Sequence, residues 1–168
     1  KEDIGSPRFI LLDKTAGLPD NQVYQICSDK SGNIWAATDA GIARCTINRD
    51  SVSIKVYTDK DGLSDIITFA IHCTAEGDII AGGFSEGISI FDPLNDAFTK
   101  IIKSWNHGEV KSIFSQADGR MWIKTENDGV IRFFNQKAQQ THIRKAVTAI
   151  FLDLEGNLWT CNTSGEIY

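Results

Sequence analysis

The three histidines and four cysteines of this 168-residue chain are the side chains best suited to catalysis or metal binding. A histidine acting as a general base needs a nucleophile or an acid held against it, and His72, His107 and His142 have no such partner at a fixed spacing. The cysteines form no Cys-x-x-Cys pair, the spacing typical of zinc and dithiol redox sites. The residues therefore predict no catalytic group, no metal and no cofactor, although folding can still bring distant residues together.

A short pattern of glycine and tryptophan recurs along the chain. Its turn glycines follow one another at 45, 42 and 37 residues. The copies are Gly32-Asn33-Ile34-Trp35, Gly77-Asp78-Ile79-Ile80, Gly119-Arg120-Met121-Trp122 and Gly156-Asn157-Leu158-Trp159. A period of this size indicates one supersecondary unit per repeat, stacked on its neighbours to form a core.

Short runs rich in Val, Ile, Phe and Thr, separated by Gly, Asp and Asn, predict β-strands rather than helices. In the first repeat we expect strands near 23–29, 33–38, 41–46 and 52–57, and we expect later fourth strands near 97–102 and 140–144. Four short antiparallel strands per repeat predict an all-β fold made of β-propeller blades. The expected blades are 17–58, 62–102 and 105–144, with an incomplete blade over 146–168 and an orphan fourth strand over 8–13.

The repeated polar and aromatic positions have a structural interpretation. Asp29 and Asp153 stand three residues before a turn glycine, where an Asp side chain accepts backbone hydrogen bonds. Metal binding is disfavoured because only two of the four repeats keep this Asp. We interpret the cysteines as inert core residues, with Cys27 and Cys73 at nearly equivalent places late in first strands. The remaining turn and blade-packing positions are Gly32, Gly119, Gly156, Trp35, Trp122 and Trp159.

Composition excludes two classes of partner for this segment. The formal net charge is -5 and the 17 basic residues are scattered, whereas a nucleic-acid surface needs clustered Lys and Arg. No apolar run approaches the length of a membrane span. The chain begins with Lys1 rather than Met, so we expect a piece of a longer protein.

Three segments of the first repeat carry a family resemblance: 17–26 (GLPDNQVYQI), 29–35 (DKSGNIW) and 38–42 (TDAGI). They resemble the two-component regulator propeller repeat, and residues 61–65 (DGLSD) open the second copy in the same style. The third and fourth openings depart from that style. This family normally uses more than four blades, so we expect a segment of a larger propeller whose open blade edges favour self-association.

The resemblance implies a sensor ectodomain of a hybrid two-component regulator, of the kind that Bacteroidetes place in the periplasm to detect glycan fragments. The repeat motif is structural, so the resemblance assigns no catalytic or ligand residue, and we expect a ligand-sensing module rather than an enzyme. The alternatives are an interaction scaffold and, less favoured, a lyase or glycosidase. Propellers of the virginiamycin-lyase type have similar turns and catalyse an elimination.

Blade topology predicts where a ligand would bind. In a four-stranded meander, the loops before the first strands and between the second and third strands emerge on one face, here called the top face. Trp105 lies there outside the repeat register and could offer a flat apolar plate to a sugar ring, or it could pack between blades two and three. The candidate residues for an oligosaccharide are Asn21, Asp39, Glu86, Trp105, Asn106, His107 and Asn127.

Overall fold

The structure, a computed structural model, describes residues 9–48, 51–101, 105–116, 118–134, 137–141, 143 and 147–168. These residues form β-strands and two short 3-10 helices, Lys14–Ala16 and Asp59–Asp61, with no α-helix in the described ranges. The expectation of an all-β chain is confirmed.

The strands form four antiparallel sheets, and neighbours in each sheet follow one another in sequence. The first sheet contains β1 (Val23–Ser28), β2 (Ile34–Thr38), β3 (Gly41–Ile47) and β4 (Val52–Tyr57). The second contains β5 (Thr68–Cys73), β6 (Ile79–Gly83), β7 (Ile88–Asp92) and β8 (Ala97–Lys100). The third contains β9 (Val110–Ser115), β10 (Met121–Thr125), β11 (Gly129–Phe134) and β12 (Lys137–Gln140). The fourth contains β13 (Val147–Leu152) and β14 (Leu158–Asn162), and an isolated bridge joins Cys161 to Ile167.

Two predicted strands differ from the structure. Residues 9–13 form no strand, Arg8 lies outside the described residues, and Leu12 packs against the apolar face of the first sheet. The fourth strand of the third sheet spans Lys137–Gln140 and so begins before the predicted 140–144, of which His142 and Arg144 lie outside the described residues. Phe134 pairs with Lys137, and the backbone amide of Val130 donates to the carbonyl of Ile143.

The four sheets are arranged as successive blades. First strands lie side by side, because β1 contacts β5 and β5 contacts β9. Apolar clusters fill the spaces between the first and second sheets and between the second and third, and Ile71 and Ile113, which face the preceding blade, are each 1% exposed. Ile26 occupies the same register in the first blade and is 62% exposed. The side chain at this register position is therefore buried where a preceding blade packs against it, as at Ile71 and Ile113, and exposed at Ile26 in the first blade.

Each first strand carries a one-residue bulge just after its first residue. In β1, Val23 pairs with Thr38 and Gln25 pairs with Ala37, which leaves Tyr24 between them without a partner in the ladder. The same register shift occurs in the other three sheets. The four bulged residues are Tyr24, Phe69, Lys111 and Thr148. Bulges re-aim side chains, so these four do not follow the alternation of their strands.

Candidate functional site

The turn after β1 is organised by one carboxylate. Oδ1 of Asp29 accepts from the backbone amides of Ser31 and Asn33, both at 2.9 Å. Oδ2 accepts from Nε1 of Trp35 at 2.8 Å. Burial raises the pKa of Asp29, but hydrogen bonds from Asn33 and Trp35 outweigh it and hold the pKa below its ordinary value. Gly32 has φ of 82°, which the turn requires and other residues rarely adopt.

The same arrangement recurs on this face, the bottom face, in later blades. Asp153 accepts from Asn157 and, at 2.7 Å, from Nε1 of Trp159, while Gln116 accepts from Nε1 of Trp122 at 3.2 Å. Gly119 and Gly156 have φ of 81° and 83°. In the second blade the tryptophan is replaced by Ile80, whose side chain has no N–H, and Thr74 closes the turn with its hydroxyl. In the first and fourth blades, the carboxylate three residues before the glycine therefore serves the turn and the indole together.

Cys27 and Cys73 form a disulfide, with their Cα atoms 6.0 Å apart. The interpretation of these two as inert core cysteines is therefore wrong, whereas Cys45 and Cys161 are free thiols. The bond joins first strands of neighbouring blades, a relation that spacing along the chain does not display. Between the second and third blades the corresponding positions hold His72 and Ser115, whose Nε2 and Oγ atoms are 2.8 Å apart.

Three of the predicted top-face residues lie together in the third blade. Nε1 of Trp105 donates to the carbonyl of Gly108 at 2.6 Å, and its indole packs on Gly87 and the core between blades two and three. The His107 ring lies 4.8 Å from Trp105, and its Nδ1 is 2.5 Å from a carboxylate oxygen of Asp128. The backbone amide of Asn127 donates to the backbone carbonyl of His107.

The other predicted residues are dispersed over the top face. Asn21 accepts from the backbone amide of Lys14 at 2.9 Å. Glu86 accepts from Lys100 within the second blade at 2.6 Å. Asn106 is exposed to solvent. Asp39 belongs to a separate group, because it accepts from the hydroxyl of Tyr24 at 2.7 Å.

That separate group is a row of side chains on the first strands and on the loops after the second strands, here called the mouth row: Tyr24, Asp39, Phe69, Phe84 and Lys111. Tyr24 and Phe69 meet edge to face with ring centroids 4.8 Å apart, and Phe84 lies 6.3 Å beyond Phe69. The ammonium of Lys111 stands 5.0 Å from the centre of the Phe69 ring. Tyr24 is 42% and Phe84 48% exposed, so the row presents aromatic surface to solvent on the first two blades, with Lys111 added by the third.

The mouth row was missed by sequence reasoning except for Asp39. Tyr24, Phe69 and Lys111 are the bulged residues, and their common signal is their position directly after Val23, Thr68 and Val110. The hydrogen bond to Asp39 raises the pKa of Tyr24, followed by burial and the negative charges of nearby carboxylates.

Two of the cavities lined by described residues lie on the bottom face, between neighbouring turns. One, of about 370 Å³, is bounded by the turns of blades three and four, including Gln116 and Asp153. The other, of about 360 Å³, is bounded by the turns of blades one and two, including Asp29 and Glu76. The described residues contain no cluster of three or more His, Cys, Asp or Glu that could hold a metal. Nor does any helix in the described part of the chain have the length and apolarity to cross a membrane.

Residues 17–40 match the family model described as "Two component regulator propeller". The resemblance identified in the sequence is thereby confirmed for the first repeat. No curated protein matches the chain in sequence.

Solved structures with the same fold include extracellular domains from B. thetaiotaomicron. One, assigned to a hybrid two component system, is 22% identical with a TM-score of 0.69, over 96% of this chain and 23% of its own. Another, assigned to a one component system, is 19% identical with a TM-score of 0.69, over 90% of this chain and 21% of its own. Virginiamycin B lyase from Staphylococcus aureus is 17% identical with a TM-score of 0.66, over 90% of this chain and 56% of its own. At these identities the similarity establishes a shared β-propeller fold. The chain spans less than a quarter of the two extracellular domains.

Proposed function

We propose that this chain is a ligand-sensing propeller segment of a two-component regulator, and that it recognises a glycan fragment on its top face. The observation that carries this proposal is the mouth row, in which exposed aromatic rings lie beside a hydrogen-bonded carboxylate. Sugar rings offer apolar C–H faces for stacking and hydroxyls for hydrogen bonding. A site for them therefore combines aromatic surface with a few fixed polar groups, as the mouth row does.

The residues of the mouth row are held by the fold itself. Tyr24 is fixed at its hydroxyl by Asp39 and at its ring by Phe69, and the ammonium of Lys111 stands over the Phe69 ring. A platform whose side chains are already ordered loses little conformational entropy when a ligand binds. Trp105, His107 and Asn127 supply a second, more enclosed contact area in the third blade, while the other candidates, Asn21, Glu86 and Asn106, are dispersed over the top face.

A location outside the cytoplasm, the periplasm in particular, forms part of the proposal. The disulfide between Cys27 and Cys73 supports it, because disulfides persist in oxidising compartments and are rare in the cytosol. The fold shared with extracellular domains of a hybrid two component system and a one component system also supports it. The kinase activity expected of such a regulator would belong to other parts of the protein.

We propose that the uncovered face of the fourth blade packs against a further blade, supplied either by the same protein or by a second copy. Trp35 is 1% exposed beneath the second blade, whereas Trp159, at the same register of the fourth blade, is 47% exposed. Trp35 is covered by Phe91 and Phe98 of the following blade, together with Tyr57 of its own fourth strand. A further blade, from the same protein or a second copy, would cover Trp159 in the same way.

The test is calorimetry on the intact protein that contains this segment, titrated with a panel of oligosaccharides. Replacing Phe84 by Ala should weaken binding of a glycan by about 1–3 kcal/mol, the range measured for aromatic stacking on bases. Leu94→Ala is the matched control, because Leu94 is an exposed apolar residue of the same blade in the loop between β7 and β8, on the bottom face. Failure of every glycan to bind would favour the interaction-scaffold alternative. Equal losses in both variants would exclude the mouth row.

A further inference from the structure

The charges around the mouth row differ in how they are compensated. Asp20 lies 3.1 Å from the ammonium of Lys14, and Glu109 contacts the ammonium of Lys111. Asp39 accepts a hydrogen bond from the neutral phenol of Tyr24. Asp39 is also exposed to solvent. Among the described residues, the blade-one end of the mouth row therefore carries an excess of negative charge at Asp39.

The hydrogen-bonding capacity at this end is equally one-sided. The Tyr24 hydroxyl donates its proton to Asp39, so its oxygen is left as an acceptor. An ionised carboxylate is itself only an acceptor. A ligand group that contacts this pair must therefore donate a hydrogen bond, as a sugar hydroxyl or an ammonium does. A carboxylate or sulfate ester would meet acceptors only and would be repelled by the charge.

We infer that the glycan bound at the mouth row is uncharged or carries amino groups, and that Asp39 rejects uronate and sulfated glycans. This inference rests on the proposed function and narrows it to a chemical class. The Tyr24–Asp39 pair sets the selectivity, while the rings of Phe69 and Phe84 provide the stacking surface that any pyranose would share. Lys111 does not offset Asp39, because its ammonium is engaged by Glu109 and the Phe69 ring.

The experiment measures dissociation constants of the intact protein for neutral and acidic hexasaccharides. The neutral probes are cellohexaose, mannohexaose and chitohexaose, with the glucosamine hexamer as the cationic form of the chitohexaose backbone. The acidic probes are hexagalacturonate and a sulfated heparin hexasaccharide. A neutral probe that binds is also tested after oxidation of its primary hydroxyls to carboxylates. We expect the oxidised form to bind about tenfold more weakly or worse, a difference that shrinks as added salt screens the charge.

The variant Asp39→Asn removes the charge and keeps an oxygen that can accept from Tyr24. It should raise the affinity for the oxidised form relative to that for the neutral probe by about tenfold. Asp118→Asn is the matched control, since it removes the same charge on the bottom face and should change neither affinity.

Tighter binding of acidic than of neutral probes by the unaltered protein would overturn the inference and leave the proposed glycan site standing. The same result at Asp39→Asn and Asp118→Asn, or no gain for the oxidised probe at Asp39→Asn, would overturn the role of Asp39. Failure of all probes to bind would overturn the proposed function itself, and the inference with it.

Discussion

The hydrogen bond from Trp35 to Asp29 should contribute far more to stability than its equivalent in the fourth blade. Both indole N–H groups donate to an Asp carboxylate, at 2.8 Å from Trp35 and 2.7 Å from Trp159. Trp35 is 1% exposed and Trp159 is 47% exposed. When the carboxylate is removed, the N–H of Trp159 can bond to water, whereas the N–H of Trp35 remains buried without an acceptor.

The size of the effect follows from that difference. Leaving a buried donor unsatisfied costs about 1–3 kcal/mol, and Asp29→Ala also removes the acceptor of the amides of Ser31 and Asn33. We expect Asp29→Ala to lower the free energy of unfolding by about 3 kcal/mol. Asp153→Ala should have a clearly smaller effect, because all of its donors remain accessible to solvent.

A double-mutant cycle isolates the bond from these other losses. Trp→Phe removes the indole N–H, so the cycle Asp29→Ala with Trp35→Phe should give a coupling energy of about 2 kcal/mol. The cycle Asp153→Ala with Trp159→Phe is the matched control and should give a markedly smaller value. The assay is urea unfolding of this chain followed by circular dichroism. Equal coupling energies in the two cycles would refute the argument from burial.

The coupling at Asp29 should also depend on pH in a defined direction. Its pKa in the folded state is held below 3.8, the ordinary value for Asp, so folding favours the ionised form. The carboxylate therefore contributes its full stabilisation above that ordinary value, and loses it as the pH falls through the lowered folded-state pKa. Repeating the Asp29–Trp35 cycle at decreasing pH should show a loss only below about pH 4. A coupling energy that decreased between pH 7 and pH 5 would contradict this.

Three further predictions concern the packing between blades. Unfolded but unreduced chain should titrate two free thiols, and replacing Cys27 and Cys73 by Ser should lower the free energy of unfolding by about 4 kcal/mol, as closure of a 46-residue loop predicts. Thr160→Val should raise it by about 1 kcal/mol, since the buried Thr160 hydroxyl has no hydrogen-bond partner among the described residues; a loss of stability would contradict this. Ile71→Ala should lower the free energy of unfolding of this chain by about 3 kcal/mol, whereas Ile26→Ala should lower it by less than about 1 kcal/mol. The difference between the two losses should be smaller in a protein where a preceding blade covers Ile26.

Much of the fold could be predicted because its signals are local. A glycine with positive φ and an acceptor three residues earlier mark each turn between first and second strands, so the strands on either side follow. The fourth strands were harder to predict, because the connections that set their register carry no such sequence signal. The last of them starts at Lys137, three residues before the predicted 140–144.

The site was less predictable because its residues meet across blades. Cys27 and Cys73 are 46 residues apart and become neighbours only because first strands of consecutive blades lie side by side. The aromatic contact between Tyr24 and Phe69 arises in the same way. Loop position correctly places Asp39 on the top face, but it does not reveal that Asp39 is paired with the bulged residue of its own blade.

The bulge in each first strand separates what a blade must keep from what it can change. Val23, Thr68, Val110 and Val147 precede the bulges and stay small and β-branched in all four blades. The bulged residues that follow them are a tyrosine, a phenylalanine, a lysine and a threonine. Because the bulged residue is unpaired in the ladder, its replacement leaves the adjoining core positions intact. Sequence change at this position can therefore alter the recognition surface one blade at a time while the array retains its packing.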